Sequence, residues 1–192
     1  AAFYSASDDA VGECYNDSVF DETFVINGGA TIGLSSRKLS VASGERHDGT
    51  AGSGARLVPS SSATVMTEVT GAITTNIEWL EMDGGDQDFL TLIKSSSITF
   101  TTALTYNNMV LHNTERTNGG SGGVIPSAIY SGLSRASLAH NNIIYDIFGN
   151  RSGGTAVSVI VIDHDIVNSG LLNNTINNCG QLNAGNTAAA TG

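Results

Sequence analysis

A short acidic motif, Asp163-His164-Asp165, carries the side chains best suited to acid–base chemistry in this sequence. On an extended strand the two carboxylates point to one face and His164 points to the other. Side chains two residues apart on a strand are about 6.5–7 Å apart, which overlaps the carboxylate separation of inverting glycosidases. The preceding stretch "VSVIVI" gives a simpler interpretation, in which the motif is the polar end of a buried strand. We favour this interpretation over a catalytic role for Asp163 and Asp165.

A second acidic stretch, "EWLEMDGGDQD", has the composition of a cation-binding turn. Its carboxylates are Glu78, Glu81, Asp83, Asp86 and Asp88. Ca²⁺ takes six to eight oxygen ligands, and the glycine-containing turn is flexible enough to wrap one. However, the spacing does not match the EF-hand pattern, and a solvent-exposed acidic loop explains it more simply. We therefore predict no metal or other cofactor, with Ca²⁺ at Asp83, Asp86 and Asp88 as the alternative.

The overall composition bounds the classes of function. The chain has 192 residues, of which 40% are hydrophobic and only 14% charged, with 23 Gly and 2 Pro. This predicts one domain of short strands and tight turns. The net charge of −10, with 8 Lys and Arg in total, argues against nucleic-acid binding. No apolar run approaches the ~20 residues that span a bilayer. The first residue is not Met, which indicates a processed product or a fragment.

Asparagine pairs recur along the second half of the sequence. They lie in "YNNMVLHNT", "HNNIIYDIF" and "LNNTINNCG", and the first Asn of each pair is at position 107, 141 and 173. Residues 88–110 also match residues 154–176 at a constant offset. A unit of this length with three short strands cannot close a core alone, but stacked units can. The repeat therefore predicts a parallel β-solenoid, with each strand paired to its equivalent in the next unit.

Stacked asparagine amides can hydrogen-bond along the axis of such a solenoid as a ladder. The spacing predicts one ladder at a corner, formed by Asn108, Asn142 and Asn174. In the same alignment Val110, Ile144 and Ile176 form an inward column of apolar side chains. The first unit is expected to be slipped by one residue, with Ile77 and Trp79 inward, because a lone buried Glu78 is costly.

Two family resemblances follow from these motifs. The segments "NNMV", "NNII" and "NNTINNC" resemble the right-handed parallel β-helix class typified by pectate lyases and phage tailspikes. The N-terminal segments "DDAVGECYNDSVFDETFVINGGATIGL" and "LSVASGERHDGTAGSGARLV" are similar to long, uncharacterised β-helix proteins from environmental and probable phage sequences. The first resemblance implies an all-β, right-handed parallel β-helix of about five or six coils with an N-terminal cap. The second family has no established activity, so it implies no catalytic residue.

The enzymes of the pectate-lyase-like class indicate which residues a catalytic site of this fold would need. Their polysaccharide lyases use a basic residue on the outer face, often together with Ca²⁺. The basic residues that could serve here are Lys94, Arg116, Arg135 and Arg151. Arg135 lies in a strand-like stretch, but no acidic partner at a matching position can be assigned. An enzyme or binding module acting on a polysaccharide remains the alternative, and we favour a chain that is not an enzyme.

The domain prediction is a single β-helix over residues 1–192. We expect residues 1–35 to form a cap and a first irregular coil, with a short helix within residues 6–16. Residues 36–180 are expected to form stacked coils, and residues 181–192 a tail. Cys14 and Cys179 then lie near opposite ends, so they should not form an intramolecular disulfide.

Apolar residues on both faces of the central strands suggest association. The residues predicted to form an apolar outer surface are Met109, Leu111, Ile143, Tyr145 and Ile147. A face that meets water should be polar, so this surface predicts lateral or end-to-end self-association. The favoured function is a structural module of an extracellular or virion assembly, such as a fibre, decoration or adhesion protein. Among the N-x-S/T sequons, Asn150 is the best glycosylation candidate.

Overall fold

The described part of the chain consists of β-strands joined by turns. Nineteen strands and no helix occur within it, so the predicted all-β class is confirmed. It therefore contains no helix capable of crossing a membrane. In the computed structural model the described residues are 8–26, 33–60, 66–68, 73–85, 91–95, 104–116, 127–131, 137–149, 159–164, 170–181 and 190–191.

The strands, numbered in chain order, form three large sheets and one small one. Sheet A contains β1 (Asp9–Cys14), β3 (Ser36–Val41), β6 (Thr74–Glu78), β9 (Leu104–Asn107), β12 (Ser137–His140) and β16 (Gly170–Leu172). Sheet B contains β4 (Arg56–Leu57), β7 (Glu81–Asp83), β10 (Val110–Arg116), β13 (Ile143–Gly149), β17 (Thr175–Asn177) and β18 (Gly180–Gln181). Sheet C contains β2 (Phe24–Ile26), β5 (Met66–Glu68), β8 (Thr91–Ser95), β11 (Ser127–Ser131) and β15 (Ile162–His164). The small sheet pairs β14 (Val159–Ile160) with β19 (Ala190–Thr191).

The three large sheets are parallel, and the chain visits them in rotation. After β6 in sheet A it enters β7 in sheet B and β8 in sheet C, and then returns to sheet A at β9. We call one such pass a rung. The third rung is β6–β7–β8 and the fourth is β9–β10–β11. The last described rung is β16–β17–β18, and it is followed by β19, which pairs with β14. In the first rung a bridge from Phe20 to Leu57 takes the place of a strand in sheet B.

Each large sheet contributes a column of apolar side chains to the core. Neighbouring members of a column lie directly opposite one another in adjacent strands, and all except the half-buried Leu39 are buried. Burying each large side chain contributes about 1.5–3 kcal/mol. The columns are Leu39–Ile77–Tyr106–Ala139 in sheet A, Leu57–Met82–Leu111–Ile144 in sheet B and Ile93–Ile129–Ile162 in sheet C.

The sequence alignment of the fourth and fifth rungs was wrong by one residue. Ile144 lies opposite Leu111, and Val110 lies opposite Ile143. Met109 and Leu111, which were predicted to be on the outer surface, are therefore fully buried. Val110 is also fully buried, although it is not in the core column with Ile144.

Ile147 also lies in the core, which contradicts its predicted place on the outer surface. Within β13, Asp146 has a left-handed backbone with φ of 55°. This conformation interrupts the two-residue alternation of the strand, so Ile144 and Ile147 are both fully buried. Ile143 and Tyr145 are only half-buried.

The predicted helix within residues 6–16 is a strand instead. Asp9–Cys14 pairs in parallel with Ser36–Val41, because the edge of sheet A satisfies its backbone groups and Gly12 disfavours a helix. Residues 1–7 and 27–32 of the predicted cap, and residues 182–189 of the predicted tail, lie outside the described residues. Cys14 and Cys179 are unbridged and half-buried, and burial raises the pKa of both thiols.

Candidate functional site

The corner between sheets A and B is formed by residues with left-handed backbones. Trp79, Asn108, Asn141 and Asn173 have φ values of 65°, 52°, 57° and 52°. Asparagine tolerates this conformation better than other residues with a side chain, whereas a tryptophan adopts it only when its surroundings hold it there. The amide N–H of Asn141 donates to the carbonyl oxygen of Leu172 at 3.0 Å. Backbone hydrogen bonds between rungs therefore continue through the corner.

The next residue along the chain forms a ladder of amide side chains. Asn142 is fully buried. Its Oδ1 accepts a hydrogen bond from the Met109 N–H at 3.0 Å, and its Nδ2 lies 3.2 Å from the Tyr106 carbonyl oxygen. The same Nδ2 donates to Asn174 Oδ1 at 2.9 Å, and Asn174 Nδ2 donates to the Ala139 carbonyl at 2.8 Å. Each asparagine thus binds the backbone of the preceding rung.

Asn108 is not a member of this ladder, contrary to the sequence prediction. It occupies the position equivalent to Asn141, and Met109 occupies the position equivalent to Asn142. The Nδ2 of Asn108 donates to Asn107 Oδ1 at 2.6 Å instead. The prediction failed because the second asparagine of this pair turns the corner, whereas in the two later pairs the first asparagine does.

Residues 42–55, which we call the covering loop, pack against the corner at the third rung. His47 is 7% exposed, and its Nε2 lies 2.7 Å from the Asn108 carbonyl oxygen. The His47 and Trp79 rings are 5.6 Å apart, and the Arg46 guanidinium lies 4.8 Å from the centre of the Trp79 ring. A Cβ at Gly54 would lie 2.4 Å from the backbone nitrogen of His47, so glycine is required for this packing.

The covering loop also approaches the outer face of sheet B. The Gly52 N–H donates to Glu81 Oε2 at 2.7 Å. A Cβ added to Gly49 would lie 3.2 Å from Ile143 Cδ1, so the loop contacts that side chain. The apolar outer surface expected from the sequence is therefore partly covered by the chain itself.

A buried cluster of ionisable side chains lies on β7 and β10 of sheet B. Glu81 is fully buried, Asp83 is 7% exposed and His112 is 2% exposed. His112 Nε2 is 2.8 Å from Glu81 Oε1, and His112 Nδ1 is 3.9 Å from Asp83 Oδ1. Strand register brings them together, since His112 lies opposite Asp83. A charged carboxylate at this depth needs partners because burial removes its hydration.

Several neighbours surround the Asp83 side of the cluster. Asp83 Oδ1 accepts hydrogen bonds from the Gly85 N–H at 2.8 Å and from Asn113 Nδ2 at 3.2 Å. The Arg56 guanidinium is 3.6 Å from Asp83 Oδ2. The Tyr145 ring stacks on the His112 ring with centroids 4.7 Å apart and planes within 6°. Burial, followed by the charges of Glu81 and Asp83, raises the pKa of Tyr145.

A second ionisable group lies on the outer face of sheet A. Burial alone would raise the pKa of Glu78, but hydrogen bonds from Lys38, Ser40 and Asn107 outweigh it and lower the pKa. Ser40 Oγ lies 2.8 Å from Glu78 Oε1, and Asn107 Nδ2 lies 3.3 Å from Glu78 Oε2. Glu78 therefore avoids the core column and joins the second, third and fourth rungs.

Asparagine and aspartate also form a second left-handed column, within sheet B. Asn113, Asp146 and Asn178 have φ values of 54°, 55° and 50°, and Asn178 Nδ2 donates to Asp146 Oδ1. These three residues, together with Glu115 and Phe148, line an open groove of about 260 Å³. The groove combines amide and carboxylate groups with one half-buried aromatic ring.

Most residues singled out from the sequence as site candidates are not part of these arrangements. Asp163 lies in β15 opposite Tyr130. Of the basic candidates, Lys94 lies in β8 opposite Tyr130 and Arg116 lies in β10 opposite Gly149. The other candidates lie outside the described residues: Asp165, Arg135, Arg151, Asp86, Asp88 and Asn150. Of the three predicted Ca²⁺ ligands, only Asp83 lies within the described residues, and it lies beside His112.

Sequence reasoning missed His112 and the role of the covering loop. The motif "LHNT" has no metal-binding or catalytic spacing of its own. The available signal was the register between β7 and β10, in which equivalent residues such as Asp83 and His112 are separated by 29 positions. This differs from the 32–34 residue spacing of the asparagine pairs, so the repeat did not align the cluster.

No protein-family model, curated protein or solved structure matches the chain. The resemblances to β-helix families thus depend on the sequence motifs alone.

Proposed function

We propose that this chain is a right-handed parallel β-helix that serves as a structural module of an extracellular or virion assembly. The rotation of the chain through three parallel sheets supports this proposal. So does the Asn142–Asn174 ladder, which commits interior side chains to joining rungs. Both features give a rigid stack whose length is set by the number of rungs.

One observation carries the proposal of self-association. Among the described residues, exposed large hydrophobic side chains occur only in the first rung and its connections and in the last described rung. Two of them, Leu171 and Ile176, continue the core columns of sheets A and B, yet they are 45% and 39% exposed. The full set is Val11, Tyr15, Val19, Val25, Leu171, Leu172 and Ile176.

The two ends differ in charge, which favours head-to-tail contact. Residues 8–26 contain six Asp and Glu and no Lys or Arg, whereas residues 170–181 contain no charged residue. Joining two first rungs would bring like charges together, but joining a first rung to a last rung would not. A cavity of about 150 Å³ lined by Cys14, Phe20, Glu22, Leu39 and Leu57 gives the first-rung end an apolar recess. Such a heterologous contact repeats to form a filament.

Sedimentation velocity of matched charge variants tests this proposal. Ile176→Asp places a carboxylate on the uncharged end, where it would repel the acidic end of a second copy. Ser43→Asp adds the same charge at an exposed turn of the covering loop and serves as the control. We expect the wild type and Ser43→Asp to associate with rising concentration and Ile176→Asp to remain smaller. Equal association by all three proteins, or by none, would contradict the proposal.

A second candidate function is polysaccharide binding, which the groove lined by Asn113, Asp146 and Phe148 favours. Amide and carboxylate groups beside an aromatic ring suit hydroxyl-rich ligands. The test is a titration with neutral and acidic polysaccharides, with and without Ca²⁺, using Phe148→Ala as the variant. Binding that Phe148→Ala weakens would support this function, and binding that the variant leaves unchanged would exclude the groove.

A further inference from the structure

The cluster of Glu81, Asp83 and His112 has a deficit of positive charge. Two carboxylates lie together beneath the protein surface, and the Arg56 guanidinium is 3.6 Å from Asp83 Oδ2. These two carboxylates and Arg56 together have a formal charge of −1. Buried charge of this kind is normally balanced by a proton, a paired side chain or a metal ion.

His112 Nδ1 is a buried nitrogen without a hydrogen-bond partner. The ring is 2% exposed, so bulk water does not satisfy this atom. Nδ1 is 3.9 Å from Asp83 Oδ1, which is too long for a hydrogen bond. The opposite ring nitrogen, Nε2, is 2.8 Å from Glu81 Oε1. A histidine held by a carboxylate at one nitrogen and open at the other is the arrangement of many metal-binding histidines.

The spacing of the donor atoms also fits a shared ion. One donor atom from each of Glu81, Asp83 and His112 lies within 4.8 Å of the other two. Ligands of one Zn²⁺ ion are each about 2.0–2.2 Å from the metal, so two of them lie up to ~4 Å apart. His112 Nδ1 and Asp83 Oδ1 are 3.9 Å apart and match this separation, whereas Glu81 Oε1 lies on the Nε2 side of the ring and holds its orientation. Mixed imidazole and carboxylate donors suit zinc and related transition metals, whereas Ca²⁺ takes oxygen ligands only.

We propose that His112 Nδ1 and Asp83 bind one divalent transition metal ion of the zinc type, and that Glu81 orients the imidazole through Nε2. The ion joins β7 of the third rung to β10 of the fourth. Through the hydrogen bond from Gly52 to Glu81, it also holds the covering loop against sheet B. This site has a structural role and does not depend on the proposed self-association.

Calorimetric titration of the chelator-treated protein with Zn²⁺ tests the site, with Ca²⁺ titrated in parallel. We expect one Zn²⁺ per chain, with much weaker binding of Ca²⁺. His112→Gln and Asp83→Asn should each lower the zinc affinity at least about tenfold. The control His140→Gln, which removes a histidine of sheet A outside the cluster, should bind as the wild type does. Bound Co²⁺ should give visible d–d absorption that His112→Gln abolishes.

Further variants keep the test decisive if His112→Gln does not fold. Asp83→Asn retains an oxygen for the Gly85 and Asn113 hydrogen bonds, so it removes charge at little structural cost. Cys14→Ser with Cys179→Ser removes the thiols and should keep the zinc stoichiometry. A folded wild-type protein that binds no Zn²⁺ would overturn the proposal. Zinc binding unchanged by Asp83→Asn would overturn it as well.

Discussion

The Asn142–Asn174 ladder and the Glu81–Asp83–His112 cluster join rungs in different ways. In the ladder, neutral amides exchange hydrogen bonds with each other and with backbone groups of the preceding rung. In the cluster, ionisable side chains are buried at comparable depth, and His112 Nδ1 has no hydrogen-bond partner. Both lie at the boundary between adjacent strands of parallel sheets.

The ladder and the cluster should differ in how they respond to pH and to a bound ion. An amide ladder carries no net charge, so it needs no counter-ion and is insensitive to pH. A buried carboxylate depends on its partner, because removing the partner leaves an uncompensated charge. The ladder therefore serves stability alone, whereas the cluster can respond to a ligand.

The largest effect is expected from removing the imidazole. His112→Phe leaves the fully buried Glu81 without its side-chain partner, and it should lower the free energy of unfolding by about 3–5 kcal/mol. Urea denaturation in the presence of a chelator measures this change. His140→Phe, which alters a half-buried histidine of sheet A, is the control and should have a small effect. Equal losses from the two variants would show that the cluster contributes nothing specific.

Removing the centre of the ladder should have the next largest effect. Asn142→Leu leaves the Met109 N–H without its acceptor and removes the Nδ2 donor to Asn174 Oδ1, and it should cost about 2–3 kcal/mol. Asn174→Leu lies in the last described rung and should cost only about 1 kcal/mol. Urea denaturation of both variants, with the exposed Asn16→Leu as the control, checks the order. A loss at Asn174 as large as that at Asn142 would contradict a ladder that is strongest at its buried centre.

Glu78 should give the smallest effect, and it should depend on pH. Its folded-state pKa is lowered, so its hydrogen bonds stabilise the fold above the unfolded value of about 4.3, and the contribution is lost as pH falls through the lower folded value. Lys38 is partly exposed, so we expect less than about 1 kcal/mol. Thermal denaturation of wild type and Glu78→Gln should differ at neutral pH and converge in acid. A stability difference between the two proteins that grows in acid would contradict a lowered pKa for Glu78.

Some of these features could be predicted from the sequence, and others depended on the register. The asparagine repeat and the composition indicated an all-β chain with parallel strands, which is confirmed. Asn142 and Asn174 were placed together because no insertion separates their rungs. Asn108 was misplaced because aligning the Asn-Asn pairs does not reveal which asparagine of each pair occupies the corner between sheets A and B. That depends on the backbone conformation, which is left-handed at Asn108 and Asn141.

The outer face of sheet B could not be predicted because tertiary packing determines it. Leu111 was assigned outward because the alignment of the fourth and fifth rungs was wrong by one residue. Ile147 was assigned outward by simple alternation, which the left-handed Asp146 interrupts. The covering loop had the composition of an ordinary polar loop, and only the folded chain shows that it reaches Glu81. The burial of His112 follows from that packing and from its position opposite Asp83.

Small-angle X-ray scattering over a concentration series tests the proposed assembly most directly. Head-to-tail stacking of a β-helix predicts a mass that rises with concentration while the cross-sectional radius stays constant. The cross-sectional radius stays constant because the copies associate through their end rungs and make no contact through the sides of the stack. A constant monomer mass at tens of micromolar, or a cross-section that widens as the mass grows, would contradict it.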